Sequence, residues 1–305
     1  MRKIYKYIGL VVGLIVLVII VLCATRREEL VISNIQKHYS LLYEDKLELE
    51  TTVYSSHKNS KYFDSDNIES IKIVSNEETQ KLELTNIKEQ ENYVLLGDKE
   101  FYPVVLSLKF SFVPENKCVL NNANLEILYK TNEKLNIKLG NICFLKTIVN
   151  NDFAIKSVSS IVNDFGKVDS LAAVIIDLEK ISEYDLEIIN IEPISNTIKI
   201  NYDYIKIDDS MDYSNDISIS EVVGETFNSY RSSITSNFEL IANQNFRKEI
   251  ILPLTYTQKE LVDSLGFVIT YKIEEEVKQQ IINPYRLFNT NNVEFVYYEY
   301  GITGN

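Results

Sequence analysis

The most distinctive feature of the hydrophobic pattern is an uncharged run near the N-terminus. Residues 8–24 read IGLVVGLIVLVIIVLCA, and Tyr5 and Tyr7 stand at the leading edge of this run. With these two tyrosines the run approaches the roughly 20 residues that an α-helix needs to cross a bilayer. The pattern therefore predicts a transmembrane helix at residues 8–24, preceded by a cytoplasmic stub at residues 1–7.

Basic residues around this run indicate its direction. Arg2, Lys3 and Lys6 precede the run and favour an N-terminus inside the cell, although two arginines follow it. The predicted localisation is therefore the cell membrane, with a single pass and the bulk of the chain extracytoplasmic. A cleaved signal peptide or a lipoprotein signal is the alternative. Against the lipoprotein signal, Leu22 stands before Cys23, where such a signal requires a small residue.

After the run, the pattern predicts a short stalk and then a β-rich domain. Residues 25–46 carry apolar positions at near-helical spacing and predict a juxtamembrane stalk, with a helix over residues 28–44. From residue 47 onward apolar and polar positions alternate, which is the period of a strand with one buried face. Residues 47–150 therefore predict a sandwich-like β-rich domain. Its predicted strands are residues 47–54, 71–74, 81–84, 104–113, 125–129 and 135–139.

The last part of the chain, residues 151–305, mixes the two periods. Apolar residues at helical spacing predict helices at residues 155–165, 182–189, 227–241 and 274–282, and a shorter helical turn at residues 257–266. Strands are predicted at residues 171–178, 196–207, 267–273 and 293–300. With the segment between residues 221 and 265 set aside, the order is β-α-β followed by β-α-β. This order predicts an α+β fold, in which a ferredoxin-like βαββαβ domain carries a helical insertion.

Three stretches of this last part also carry a family resemblance. They are residues 168–184 (VDSLAAVIIDLEKISEY), residues 227–246, and residues 265–270 (LGFVIT) followed by the acidic start of the next predicted helix. The region from about residue 151 to residue 301 resembles the C-terminal domain of sigma factor regulators, found in membrane-bound anti-sigma factors of low-GC Gram-positive bacteria. Tyr271 departs from the family pattern, which has a glycine after the threonine. Only seven residues precede the apolar run, so the resemblance implies the exterior module without its cytoplasmic sigma-binding segment.

Charge is unevenly distributed along the chain. Five of the 31 basic residues flank the apolar run, whereas all 44 acidic residues lie beyond it. The chain after the run therefore carries a larger negative charge than the −13 of the whole chain. Such a surface repels phosphate backbones, which argues against nucleic acid as a partner and favours cations, a basic protein face or neutral surfaces. The predicted partners are the membrane and a protein in the membrane or envelope.

Two short motifs match those of serine enzymes. Residues 55–58 (SSHK) fit S-x-x-K, and residues 65–67 (SDN) fit S-D-N. Their separation is too short for two loops that meet at one site, and no K-T-G follows them. We interpret both as coincidental, and the sequence predicts no catalytic residue.

The sequence also predicts no metal site and no cofactor. His38 and His57 are the two histidines, and Cys-x-x-Cys is absent, which disfavours a zinc site. Residues 208–216 contain four carboxylates, but Tyr213 and Ile219 replace the glycine and the glutamate of a calcium-binding loop. We interpret this segment as a solvated acidic loop.

Two further features leave alternatives open. Cys118 and Cys143 can form a disulfide in an oxidising exterior or remain as buried thiols, and the second interpretation is slightly favoured. The C-terminal tyrosines, Tyr297, Tyr298 and Tyr300, fit either a binding surface or ordinary sheet packing.

These patterns lead to one functional hypothesis and an alternative. The hypothesis is a membrane-anchored extracytoplasmic sensory or regulatory binding module, similar to an anti-sigma factor, that acts through a protein partner. The alternative is a structural accessory subunit of a cell-envelope transporter or secretion complex. An enzyme is disfavoured because no acid, base, nucleophile and metal set converges in the sequence.

Overall fold

The computed structural model describes residues 32–34, 36–76, 78–96, 99–164, 169–208, 240–257, 261–286 and 298–300. Within these ranges the chain forms 19 strands and three short 3-10 turns, with no α-helix. The prediction of an α+β fold with a ferredoxin-like domain is therefore wrong. The described chain is almost entirely β and forms a sandwich-like fold.

The strands are named here in chain order. In the first half they are β1 (Ile32–Asn34), β2 (Lys37–Tyr43), β3 (Glu48–Ser55), β4 (Ile68–Val74), β5 (Thr79–Glu89), β6 (Val94–Leu96), β7 (Lys99–Phe110), β8 (Cys118–Tyr129) and β9 (Lys134–Lys146). In the second half they are β10 (Phe153–Asp164), β11 (Asp169–Lys180), β12 (Leu186–Pro193), β13 (Ile198–Ile200), β14 (Lys206–Asp208), β15 (Leu240–Ala242), β16 (Arg247–Tyr256), β17 (Leu261–Ile273), β18 (Glu276–Arg286) and β19 (Tyr298–Tyr300). The 3-10 turns are Lys61–Phe63, Ser65–Asn67 and Tyr202–Tyr204.

The first half folds around one hydrophobic core, and we call it the first lobe. Its strands run in the order β2-β9-β8-β4-β5-β7-β3, with β1 and β19 continuing beyond β3. Alternate residues of each strand point inward, as for Leu49 and Val53 on β3, Leu106 on β7 and Ile137 on β9, all essentially inaccessible to solvent. A buried side chain of this size stabilises the fold by about 1.5–3 kcal/mol relative to its exposed state.

The second half, which we call the second lobe, has a separate core between two sheets. One sheet contains β15, β12, β17 and β18, and the other contains β10, β11, β16, β13 and β14. Ile176 and Leu178 on β11 share this core with Ile191 on β12 and with Ile269 and Tyr271 on β17.

Strand β17 joins the two lobes. Its later residues pair with β12 and β18 inside the second lobe, while its first residues run parallel to β2 of the first lobe. A continuous hydrogen-bonded ladder therefore passes from one lobe into the other. The point at which β17 meets β2 lies at the boundary between the two cores.

A side-chain amide ties together the two sheets of the second lobe. Gln280 on β18 is buried, and its Nε2 donates to the carbonyl oxygen of Phe153 on β10 at 2.7 Å. The backbone N–H of Phe153 donates to Oε1 of the same amide at 3.0 Å. The amide thus satisfies both backbone groups of a buried residue that begins the edge strand of the opposite sheet.

We expect Gln280→Leu to lower the free energy of unfolding by roughly 2 kcal/mol, because it leaves a buried N–H and a buried C=O unsatisfied while adding some apolar burial. The matched control is Gln279→Leu, since the neighbouring side chain is exposed. The control should change stability by less than about 0.5 kcal/mol. Urea denaturation of both variants measures the difference, and equal effects would contradict a special role for Gln280.

The predicted helix at residues 155–165 is instead strand β10, and two register shifts explain the misleading spacing. Ile155 lies opposite Leu178 and Ser157 opposite Asp177, so Lys156 is an extra residue in a β-bulge. The bulge places Ile155 and Val158, three positions apart, on the same core-facing side. A second irregularity lies between Ile161 and Val162. A strand with bulges therefore reproduces the three-residue spacing of a helix.

The other helices predicted within residues 151–305 are also wrong wherever the structure describes them. The segment 182–189 leads into β12, the segment 257–266 runs into β17, and the segment 274–282 is mostly β18. Glu274 and Glu275 form the two-residue turn between β17 and β18, and Glu274 adopts a positive φ of 53°. This hairpin turn has no glycine to mark it, and its run of glutamates resembles the acidic first turn of a helix. Of the predicted insertion helix, residues 227–239 lie outside the described residues, whereas Leu240 and Ile241 are in β15.

The N-terminal predictions also require correction. The predicted stalk helix, residues 28–44, overlaps β1 and β2, which are strands. The predicted transmembrane helix at residues 8–24 lies outside the described residues, and within the described ones no helix is long and apolar enough to cross a bilayer. The single-pass cell-membrane localisation therefore gains no support from the structure, and we do not retain it.

Candidate functional site

The contact between the lobes contains a β-bulge that redirects a carboxylate. Leu261 and Val262 of β17 lie opposite Lys37 and His38 of β2, but the next pair is Ser264 with Tyr39. Asp263 is the extra residue of this bulge, and a bulge of this kind re-aims the side chain that it carries. The Oδ1 atom of Asp263 lies 3.2 Å from Nζ of Lys37. Since the Lys37 side chain is only 2% exposed, its ammonium group requires such a partner.

A serine side chain ends the ladder between β17 and β2. The backbone N–H of Ser40 donates to Oγ of Ser264 at 3.2 Å, and this hydroxyl donates to the carbonyl oxygen of Ser40 at 3.1 Å. Ser264 therefore satisfies with its side chain the two backbone groups that a further strand residue would otherwise satisfy. Beyond this point β17 leaves β2 and continues between β12 and β18.

The departure of β17 leaves a cleft of about 350 Å³ between β2 and β3. This volume is toward the lower end of the roughly 300–1,000 Å³ that ligand pockets occupy. Three acidic residues are among those that line it: Glu48 and Glu50 from β3 and Asp263 from the bulge. Hydroxyl and apolar groups make up the remainder. The other lining residues are Tyr39, Ser40, Leu41, Leu42, Leu49, Thr85, Ser107, Leu108, Ser264 and Pro284.

Two tyrosines lie behind the carboxylate of Asp263. The hydroxyl of Tyr39 is 3.1 Å from Oγ1 of Thr51, which connects β2 with the facing strand β3. The hydroxyl of Tyr54 is buried and has no hydrogen-bond partner among the residues that the structure describes. Burial, followed by the negative charge of Asp263, raises the pKa of both phenols above the ordinary value. Both tyrosines therefore remain neutral donors at physiological pH.

A neutral histidine, His38 on β2, lies next to the contact between β2 and β17. Nε2 of His38 lies 3.1 Å from the carbonyl oxygen of Ile194, which also accepts the hydroxyl of Ser40 at 2.7 Å. Because a carbonyl oxygen can only accept, Nε2 carries the proton. Nδ1 is then a buried acceptor that has no partner within the described ranges. Burial lowers the pKa of His38 from 6.5 to about 4. The imidazole is therefore neutral at pH 7.

The serine motifs found in the sequence lie in turns. Oγ of Ser55 donates to the carbonyl oxygen of His57 at 2.8 Å, and Oγ of Ser56 is 2.9 Å from Nδ1 of the same histidine. Residues Ser65–Asn67 form a 3-10 turn capped by the side chain of Asp64. Both motifs are thus engaged in local turn contacts, and neither contributes to the lining of the cleft.

The remaining candidate residues are dispersed. Cys118 lies opposite Phe144 and Cys143 opposite Val119, so the two cysteines point to opposite faces of the sheet and form no disulfide. In the part of the chain that the structure describes, no group of three or more His, Cys, Asp or Glu side chains could hold a metal ion. Residues 209–216 of the acidic loop lie outside that part, as does Tyr297.

Reasoning from the sequence did not identify the cleft. Asp263 and Ser264 lie in the segment predicted as a helical turn, and Lys37 and Ser40 lie in the predicted stalk. The available signal was the interruption of an otherwise apolar segment by Asp263, Ser264 and Gly266. Such an interruption indicates a bulge if the segment is assigned as a strand.

Comparisons with known proteins add little to these observations. No family model matches the chain, and no curated protein matches it. Among solved structures, one titled BspA_C_WT has 11% identity and a TM-score of 0.24, covering 82% of this chain and 98% of its own. The Streptococcus agalactiae AgI/II polypeptide BspA C-terminal domain has 11% identity and a TM-score of 0.23 over the same shares, and BspA_C_mut has 10% and 0.22 over 82% and 96%.

TM-scores this low carry no argument about fold or function. Nothing in the comparisons supports an anti-sigma factor, and we do not retain that description. The resemblance of residues 151–301 to sigma factor regulators stays an untested prediction.

Proposed function

We propose that this protein is a non-catalytic binding module that acts through a protein partner, and that the cleft between β2 and β3 binds a basic part of that partner. The observation that carries this proposal is that Glu48, Glu50 and Asp263 all line one cleft where the two lobes meet. Ligand sites occur preferentially at such boundaries.

The charge of the chain supports a cationic partner. The chain carries 44 acidic and 31 basic residues, so its overall field attracts positively charged surfaces and accelerates their association. Lys37 neutralises part of the charge of Asp263, but its ammonium group is buried within the junction. Glu48 is exposed at the cleft and can meet a lysine or arginine from outside, and Glu50 is exposed beside it.

The groups around these carboxylates can strengthen binding of the partner as well as accelerate its association. Leu41 and Leu42, which are half-buried, line the same cleft, so a bound segment buries apolar surface while its cationic groups meet the carboxylates. A charged pair partly removed from water is stronger than one on an open surface.

A short basic peptide tests this function. We expect a hexapeptide of alternating lysine and valine, with blocked ends, to bind the protein in isothermal titration calorimetry at low salt. The double variant Glu48→Gln with Glu50→Gln should lower its affinity about tenfold, since two charge-assisted contacts of roughly 0.5–1 kcal/mol each are lost.

The matched control carries the same change in net charge at exposed positions that do not line the cleft, Glu183→Gln with Glu275→Gln. This control should lower the affinity less than twofold. Equal losses in the two double variants would mean that the peptide responds to net charge alone and would contradict binding in the cleft. A hexapeptide of alternating glutamate and valine should not bind.

A further inference from the structure

We propose that the partner binds as an added β-strand: an extended segment with lysine or arginine at alternate positions pairs with β2 at Leu42, in the position that β17 leaves. This inference rests on the proposed function and specifies the form of the partner. A strand adds to a sheet where backbone groups are accessible at an edge, with side-chain pockets selecting alternate residues.

The edge of β2 determines where this pairing starts. Both backbone groups of Ser40 face β17 and meet the hydroxyl of Ser264. Backbone groups alternate in direction along a strand, so those of Leu42 face the same side as those of Ser40. Leu42 lines the cleft, and in the described part of the chain no strand pairs with this side of β2 beyond Ser264. Ser264 thus ends the internal ladder one step before Leu42.

The opposite wall of the cleft is also a strand margin. Strand β3 pairs with β7 along its whole length, from Glu48 opposite Lys109 to Ser55 opposite Tyr102. On its other side, within the residues described, it pairs only with β1 at Tyr54 and Ser55. The cleft therefore lies between the margins of β2 and β3, two strands of the same sheet, and we call it the slot.

Side-chain chemistry in the slot selects the residue types of the guest. The carboxylates of Glu48, Glu50 and Asp263 favour basic side chains, and the leucines favour apolar ones. Alternation of basic and apolar residues is also the natural pattern of a strand with two different faces.

Backbone methylation of the peptide tests strand addition separately from charge. In an extended peptide, alternate N–H groups point to opposite edges, so one methylated set blocks pairing with β2 and the other does not. Two versions of the lysine–valine hexapeptide are needed, one N-methylated at the valines and one at the lysines. We expect one version to bind at least tenfold more weakly than the parent peptide and the other within threefold of it. In hydrogen exchange, the amide of Leu42 should gain protection on binding, whereas that of Leu41, which faces β9, should not change.

Each outcome supports or overturns the inference. Affinities that fall equally for both methylated peptides, or an unprotected Leu42 amide with the peptide bound, overturn strand addition and leave the proposed function intact. Failure of the unmodified peptide to bind overturns both. Binding that appears only when a dimer dissociates on dilution assigns the cleft to a second copy of the chain, which also overturns the inference.

Discussion

Replacing Gly140 by alanine should destabilise the protein by at least about 4 kcal/mol, because two separate costs act at one position. Gly140 has a φ of +110°, a conformation that residues with a side chain rarely adopt. A Cβ atom placed there would lie 2.2 Å from the carbonyl oxygen of Lys37 and 2.7 Å from its backbone nitrogen. Neither atom can move without separating β2 from β9.

The consequences of this substitution extend to the cleft. Gly140 pairs with Lys37 on one side and with Ala123 on the other, so it holds β2 in place at the residue where the junction begins. We therefore expect Gly140→Ala to lower the urea midpoint strongly and to abolish binding of the basic hexapeptide. Circular dichroism during urea titration measures the first effect and calorimetry the second.

Gly266→Ala provides the comparison for this experiment. A Cβ atom at Gly266 would meet the terminal Cδ1 of Ile194 at 2.9 Å and the carbonyl oxygen of Ile282 at 3.1 Å. The first contact is with the flexible end of a side chain, so we expect a loss of only about 1–2 kcal/mol. If Gly140→Ala is as stable as the parent, or less damaging than Gly266→Ala, the described approach of β2 to β9 is incorrect.

Lowering the pH should lower the free energy of unfolding through protonation of His38, because burial lowers the pKa of its imidazole. The pKa of His38 is about 4 in the folded protein, against 6.5 without burial. Between these values the unfolded chain binds a proton that the folded chain does not, so the contribution to stability falls as the pH falls from 6.5 to 4. Below pH 4 both states are protonated and the loss is complete. The expected loss from this residue is roughly 3 kcal/mol.

His38→Gln isolates this contribution from all other titrating groups. A glutamine can still donate from Nε2 to the carbonyl oxygen of Ile194 but does not titrate in this range. We expect the unfolding free energy of the parent to fall by about 3 kcal/mol more than that of the variant between pH 7 and pH 4, as measured by urea denaturation at several pH values. Parallel pH profiles for the two proteins would contradict the burial of a neutral imidazole at this position.

Reasoning from the sequence succeeded where strands are regular. The alternating segments between residues 47 and 139 all contain strand residues in the structure, because one buried face gives a clean period of two. It failed where bulges interrupt that period. In β10 the extra residue Lys156 shifts the core positions to a spacing of three, and in β17 irregularities follow both Val262 and Leu265. A bulge is set by long-range pairing, which a single sequence does not display.

The candidate site could not be predicted from the sequence, because it too depends on long-range pairing. Its parts come from β2, β3 and β17, and Asp263 is separated from Lys37 by 226 positions. Which of these strands become neighbours depends on how β17 is shared between the lobes, and no local pattern encodes this. The positive charge that we propose for the partner does follow from the sequence, because the excess of acidic residues is visible without a structure.

The central claim is that the cleft between β2 and β3 binds a basic segment. A titration of ¹⁵N-labelled protein with the lysine–valine hexapeptide, followed by two-dimensional NMR, tests this claim most directly. The account predicts that the largest amide shifts occur at Ser40, Leu42, Glu50 and Ser264, and that they saturate with the calorimetric affinity. Shifts that are absent, or that instead concentrate on the exposed outer face of the second lobe around Ile241 and Val277, would contradict it.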